Sequence, residues 1–316
     1  MLNFCDRFLF EVQKMGAVVF ITGSSTGIGR LTAEGAARAG HVVYATMREV
    51  TTRNAPAAAV LQRFADENKV SLRVLEVDVS NSDSIESAVD HILRESGRID
   101  AVVSNAGLMS IGIAEGFTEE QALRQMDVNF MGSFRVCRAV LPKLREQRSG
   151  VIIHVTSIAG RLIFPGCGLY CASKFAQEAF AEALQYELTG TGVESVLVEP
   201  GPYPSHLLPN SPGPADTQRV QSYGPLSAIR DNFIGHFSEL FHSPSAPRTQ
   251  DVSEAILRLI ESPPGTRPFR TVCGMDFGAH SLNEQVAPIQ ADVLRALGMG
   301  EMVPPVASDH IGKVSV

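Results

Sequence analysis

At 316 residues with an apolar fraction of 44%, the chain is long enough to bury the core of one large α/β domain or two small ones. Its 27 basic and 34 acidic residues give a formal charge of −7 and a pI near 5.6, which supplies no electrostatic footprint for nucleic acid or an anionic membrane surface and leaves small-molecule chemistry. No apolar run reaches the ~20 residues of a membrane span, and residues 1–14 (MLNFCDRFLFEVQK) mix charges among apolar residues without a small-residue cleavage site, so neither a span nor a secretory signal is read and a cytoplasmic protein is expected.

Five cysteines (Cys5, Cys137, Cys167, Cys171, Cys273) make an odd number without CxxC spacing. Cys167 and Cys171 are four apart, yet no histidine or further cysteine completes a zinc set. Reduced thiols and no metal site are expected.

Residues 1–15 precede the first strand as an N-terminal extension. Residues 16–22 (GAVVFIT) then form a short β-branched strand that runs into Gly23-Ser24-Ser25-Thr26-Gly27-Ile28-Gly29, and 30–39 reads as helix. Glycines let a backbone turn tightly and approach a ligand closely, while a helix N-terminus offers free N–H groups and a positive dipole end, so this succession suits a pyrophosphate. The rhythm repeats: strand 41–46, helix 55–68, strand 71–77, helix 82–96, strand 99–104, a long helical region 119–148, strand 150–156, helix 169–189 and strand 193–199. Short apolar strands alternating with amphipathic helices predict a parallel sheet covered on both faces. The expected architecture is a single doubly wound Rossmann-type α/β domain over 16–300, with about seven strands, a lid at 202–249 and a tail at 301–316.

In such sheets the ligand lies outside the carboxyl ends of the strands. Successive strand ends carry the glycine loop, Asp78, Asn105-Ala106-Gly107, Ser157 and Pro200-Gly201. His154, inside its strand, is read as core filling. In the helix that follows, Tyr170 and Lys174 sit four apart, one above the other on one face. A free phenol titrates near pH ~10; a neighbouring positive charge stabilises its phenolate and makes the pair an acid/base device.

The motifs Thr22-Gly23-x-x-x-Gly27-Ile28-Gly29, Asn105-Ala106-Gly107, Ser157 and Tyr170-x-x-x-Lys174 occur together and in order, and the chain over about 16–262 resembles the short-chain dehydrogenase/reductase family. Val43-Tyr44-Ala45-Thr46-Met47-Arg48 and Tyr170-Cys171-Ala172-Ser173-Lys174-Phe175 resemble its 17β-hydroxysteroid and retinol dehydrogenase branch. The resemblance implies that Tyr170 is the general acid in reduction and the base in oxidation, and that Ser157 polarises the substrate oxygen. Lys174 would tune Tyr170 and bind the nicotinamide ribose, and Asn129 would hold a relay water. For the cofactor it implies a pyrophosphate loop of Gly23, Ser25, Gly27 and Gly29 with Ile28 at the helix start. Asp78 and Val79 would contact adenine, Asn105 and Gly107 would line the groove beyond, and Pro200, Gly201 and Ser205 would lie near the carboxamide. Bland uses stand beside each role: Asp78 as a helix cap, Ser157 as a turn residue, Asn129 as a partner for buried backbone, Lys174 as a solvated charge.

At the end of the second strand, an acid would bind a ribose 2′-hydroxyl and an arginine a 2′-phosphate. Thr46 and Met47 stand where the acid is expected and Arg48 follows, which favours NADP(H), with NAD(H) the alternative because Glu49 is adjacent. The proline- and glycine-rich lid carries Phe233, Phe237 and Phe241 on one helix face, and Leu108, Met109, Phe164 and Tyr203 are candidate pocket residues. Helix 250–261, strand 269–273 and a terminal helix at 287–297 complete the chain. The expected activity is oxidoreduction of a bulky apolar alcohol, ketone or aldehyde. The rivals are a non-catalytic dinucleotide sensor and a nucleotide-sugar isomerase or epimerase. A homo-oligomer formed through 119–148 and 169–189 is what the family resemblance implies.

Overall fold

A computed structural model describes residues 16–304; the extension expected at 1–15 and most of the tail expected at 301–316 lie outside the described residues. Among these residues seven strands form one sheet: β1 (Val18–Ile21), β2 (Val42–Met47), β3 (Leu72–Glu76), β4 (Ala101–Ser104), β5 (Gly150–Val155), β6 (Val193–Pro200) and β7 (Arg270–Cys273). All neighbours pair in parallel, in the order β3-β2-β1-β4-β5-β6-β7. The chain winds outward one way from β1 and then the other way from β4, so the crevice between these two strands opens at the carboxyl edge.

Helices α1 (Gly27–Arg38), α2 (Ala55–Asn68), α3 (Ser82–Ser96), α4 (Glu119–Met126), α5 (Gly132–Gln147), α6 (Gly168–Glu187), α7 (Thr217–Ser222), α8 (Ile229–Phe241), α9 (Thr249–Glu261) and α10 (Ala279–Ala296) connect or follow the strands. Successive strand residues point to opposite faces, and here both faces are apolar. Val19, Ile21, Val103 and Ile153 pack under α1, α2 and α9, whereas Phe20, Val102 and Ile152 pack under α3, α5 and α6. Burial on both sides is why the strands read as continuous β-branched runs instead of alternating ones.

Two elements differ from expectation. The region 119–148 is helical throughout but is broken by a π turn at Asp127–Met131, a local widening that re-aims the buried Asn129. The terminal helix begins at Ala279 instead of 287, with Pro288 inside it. Asp276 accepts from Gly278 N (3.1 Å) and His280 N (3.2 Å), which satisfies one N–H of the first turn. The lid holds α7 and α8, and the Phe233–Phe237–Phe241 stripe docks on a separate apolar cluster with Ile111, Cys167, Tyr170 and Leu208 above the sheet edge.

Candidate active site

Thr22, one residue beyond β1, organises the crevice. Its Oγ1 accepts from Asn105 N (3.0 Å) and Ala106 N (3.1 Å), and Asn105 Nδ2 donates to the Thr22 and Gly23 carbonyls at 3.0 Å each. Asn105 thus fastens the end of β4 to the glycine loop. Gly23 has φ +72 and a Cβ there would stand 2.7 Å from Ala106 Cα; a Cβ on Gly29 would run into the Gly23 carbonyl and the Asn105 amide. A Cβ on Gly27, by contrast, would meet only Ser205 Cβ, at 3.8 Å, and would project into open space. The N-cap of α1, Thr26, makes no side-chain cap bond, so the first N–H groups of the helix face the cradle unspent. An anionic group such as a pyrophosphate fits that opening.

One cavity of about 850 Å³ runs along the carboxyl edge, and every residue expected to bind cofactor or act in catalysis lines it except Gly29 and Asn129. Gly29 instead shapes the loop from behind. At the β2 end, Thr46 is buried and its Oγ1 donates to Ile21 O (2.9 Å). Arg48 lines the cavity, whereas Glu49 is exposed, outside the lining, in a left-handed conformation (φ +53). Arg53, which pattern reading passed over, also lines the cavity. Burial acts to raise the Asp78 carboxyl, but hydrogen bonds from Ser80 N (2.9 Å) and Oγ (2.6 Å), with the charges of Arg48 and Arg135, hold it below its ordinary value. Asp78 therefore stays an anion at the rim, and the cap of α3 is Asn81.

Tyr170, Ser157 and Lys174 meet in the middle of the cavity. Ser157 Oγ caps a short turn by accepting from Ala159 N (3.1 Å) and donates to Pro200 O (3.3 Å). Burial pushes the Tyr170 phenol above its ordinary value and the Ser157 hydroxyl pulls it partly back, so the lowering expected from Lys174 does not appear here: burial outweighs it. Lys174 Nζ lies over the Tyr170 ring, 5.9 Å from its centroid, tied to Val155 O (3.0 Å) and Gln177 Oε1 (3.0 Å). Burial lowers this ammonium to about 8, with Glu178 working the other way. Asn129 clamps loop to helix: Oδ1 accepts from Leu108 N (2.9 Å), and Nδ2 donates to Leu108 O (2.9 Å) and Ser173 Oγ (2.9 Å). His154 is buried with Nδ1 3.0 Å from Ser133 Oγ, and it fills core as expected. Phe164, Phe233, Phe237, Phe241, Phe277 and Leu208 also line the cavity. Among the described residues no cluster of metal-ligating side chains occurs and no helix is long and apolar enough to cross a membrane.

Behind Lys174 lies a polar cluster that pattern reading passed over. Arg270 of β7 pairs with Glu178 and, at 2.6 Å each, with Glu182 and Glu199. Glu178 follows Lys174 by four positions, and that spacing was the one available clue.

The profile of the short chain dehydrogenase family matches residues 17–212. A 3-ketodihydrosphingosine reductase of Bacteroides thetaiotaomicron is 39% identical over 61% of this chain and 66% of its own length. Retinol dehydrogenase 8 of Bos taurus is 32% identical over 80% of this chain and 81% of its own, and the human 17-beta-hydroxysteroid dehydrogenase type 1 is 30% identical over 80% and 77%. A crystal structure of a short-chain dehydrogenase from Streptomyces avermitilis superposes with a TM-score of 0.70 at 26% identity, covering 90% of this chain and 98% of that one.

Proposed function

The chain belongs to the short-chain dehydrogenase family, and on that premise we propose that it is an NADP(H)-dependent oxidoreductase interconverting a bulky apolar alcohol and its ketone or aldehyde. The observation that carries the reading is the convergence of Tyr170, Ser157 and Lys174 on the same cavity as the glycine cradle. The open space at Gly27 and the uncapped start of α1 fit a dinucleotide pyrophosphate, and a bound nicotinamide supplies or accepts the hydride. In reduction Tyr170 Oη gives its proton to the substrate oxygen; in oxidation it takes that proton back. In this reading Ser157 turns its hydroxyl proton from Pro200 O to the same oxygen, and the Lys174 ammonium beside the ring stabilises the phenolate as it forms. Asn129 holds the 105–108 loop at the correct height against α6.

NADP(H) is supported by Arg48 and Arg53 on the cavity lining and by the outward placement of Glu49. Five phenylalanines lining the cavity support an apolar substrate, as do relatives named for a ketodihydrosphingosine, a retinol and a hydroxysteroid. The test is NADPH absorbance with a panel of long-chain and polycyclic ketones. Turnover with NADPH at higher efficiency than NADH is expected; an NADH preference overturns the cofactor assignment, and tight nucleotide binding without turnover on any ketone or aldehyde moves the chain to the sensor class. We further propose a homodimer through α4–α5 and α6, where Leu123 (61% exposed) and Phe175 (38%) face outward. Light scattering should return twice the 34.0 kDa chain mass, and a monomer would remove this assignment.

A further inference from the structure

Glu178 lies one helical turn after Lys174 on α6 and is 2% exposed. One of its oxygens accepts from Thr156 Oγ1 at 2.5 Å. Thr156 stands between Val155, whose carbonyl holds Lys174 Nζ, and Ser157. The other oxygen meets the Arg270 guanidinium, which also takes Glu199 and Glu182. Glu199 in turn accepts from Asn283 Nδ2 (2.6 Å) on α10, and Asn283 Oδ1 accepts from Arg161 Nε (2.7 Å). Gly160 closes the turn beyond Ser157 so tightly that a Cβ there would sit 3.1 Å from the Lys174 carbonyl oxygen and 2.6 Å from Glu178 Cγ. The end of β5, β7 and α6 therefore meet at this carboxylate, and β6 and α10 join the same network through Arg270 and Glu199.

The charges do not balance within the cluster. Arg270 answers three carboxylates, Glu178, Glu182 and Glu199. His154, the titratable group on β5, is neutral because burial and the Lys174 charge depress it to about 3. Arg161 reaches Asn283 and not an acid. Surplus buried carboxylate costs desolvation energy: burial and Glu199 push Glu178 up to about 7 against the pull of Arg270 and Thr156. Lys174, buried one turn earlier on the same face of α6, is the second cation beside it, within reach of its charge though not in direct contact.

We propose that Glu178 is a positioning residue for the acid/base pair: its buried carboxylate keeps Lys174 an ammonium while Tyr170 exchanges its proton, and through Thr156 it fixes the Ser157 end of β5. The proposal rests on the roles of Tyr170 and Lys174 given above, but its test does not need turnover. In protein labelled with [13C]lysine, the Lys174 Cε signal is identified among five lysines by its loss in Lys174→Met, and its titration midpoint is read by NMR. Removing a nearby negative charge disfavours the ammonium, so Glu178→Gln should lower the midpoint by at least about half a unit and move the alkaline limb of kcat down with it. Arg270 keeps two carboxylates in that variant, so the fold should persist. If it does not, Thr156→Val, which removes one hydrogen bond from the carboxylate, should shift the midpoint the same way by less. A Lys174 midpoint unchanged in folded Glu178→Gln, or in Thr156→Val where the first variant does not fold, overturns the proposal. A wild-type protein without turnover sinks the enzyme reading alone, because the titration still decides the place of Glu178.

Discussion

The phenol of Tyr170 is the group whose removal should cost most and disturb least. Tyr170→Phe keeps the ring that packs with Cys167 and Leu208 and deletes the proton, so turnover should fall about 10³-fold while NADPH affinity stays within a few-fold by fluorescence titration; a wild-type rate would end the acid/base assignment. Lys174 sets the alkaline limit. Its folded pKa is lowered to about 8 by burial, so the ammonium is present below that pH and lost above it. The rate of ketone reduction should therefore decline as pH rises through 8, and a flat profile to pH 9.5 would contradict a catalytic ammonium. The spacing of Tyr170 and Lys174 was legible from helix geometry, but the placement of Nζ over the ring was not. That placement follows from the Val155 carbonyl and Gln177, a strand end and a side chain that spacing alone does not aim.

Elements were read well where the signal is local. The boundaries of α2 and α3 coincide with those expected, because apolar periodicity and flanking polar residues act within one or two turns. The start of α10 and the π turn at Asp127–Met131 were missed, since one is decided by the Asp276 bonds and the other by what Asn129 must reach. The glycine loop is the element proposed to hold the pyrophosphate by its shape: Gly29→Ala places a methyl against the Gly23 carbonyl and Asn105 amide. It should weaken NADPH binding at least about tenfold while costing stability on the order of 1–3 kcal/mol. Isothermal titration and urea melts separate the two effects. An unchanged Kd would show that the loop does not carry the cofactor.

For the molecule as a whole, one buried histidine links the core to acid stability. His154 is held neutral, with its folded pKa depressed to about 3 by burial and then by Lys174. The unfolded chain binds that proton near pH ~6.5, so stability is complete above this value and is lost as pH falls below it. Between pH 6.5 and 5 the loss attributable to His154 is about 1.6 kcal/mol, and His154→Gln should flatten that slope in urea melts; an equally steep slope in the variant would refute it. The doubly wound sheet, its strand-end residues and the position of the glycine loop were all legible in the amino-acid order, because β-strand burial, glycine turns and helix spacing are written within about a dozen residues. The place of Arg53 on the cavity lining, the outward turn of Glu49 and the Glu178–Arg270 cluster were not. Glu178 and Arg270 are 92 positions apart, and only the parallel pairing of β6 with β7 brings such groups together. Charges that meet across a folded sheet leave no local pattern along the chain.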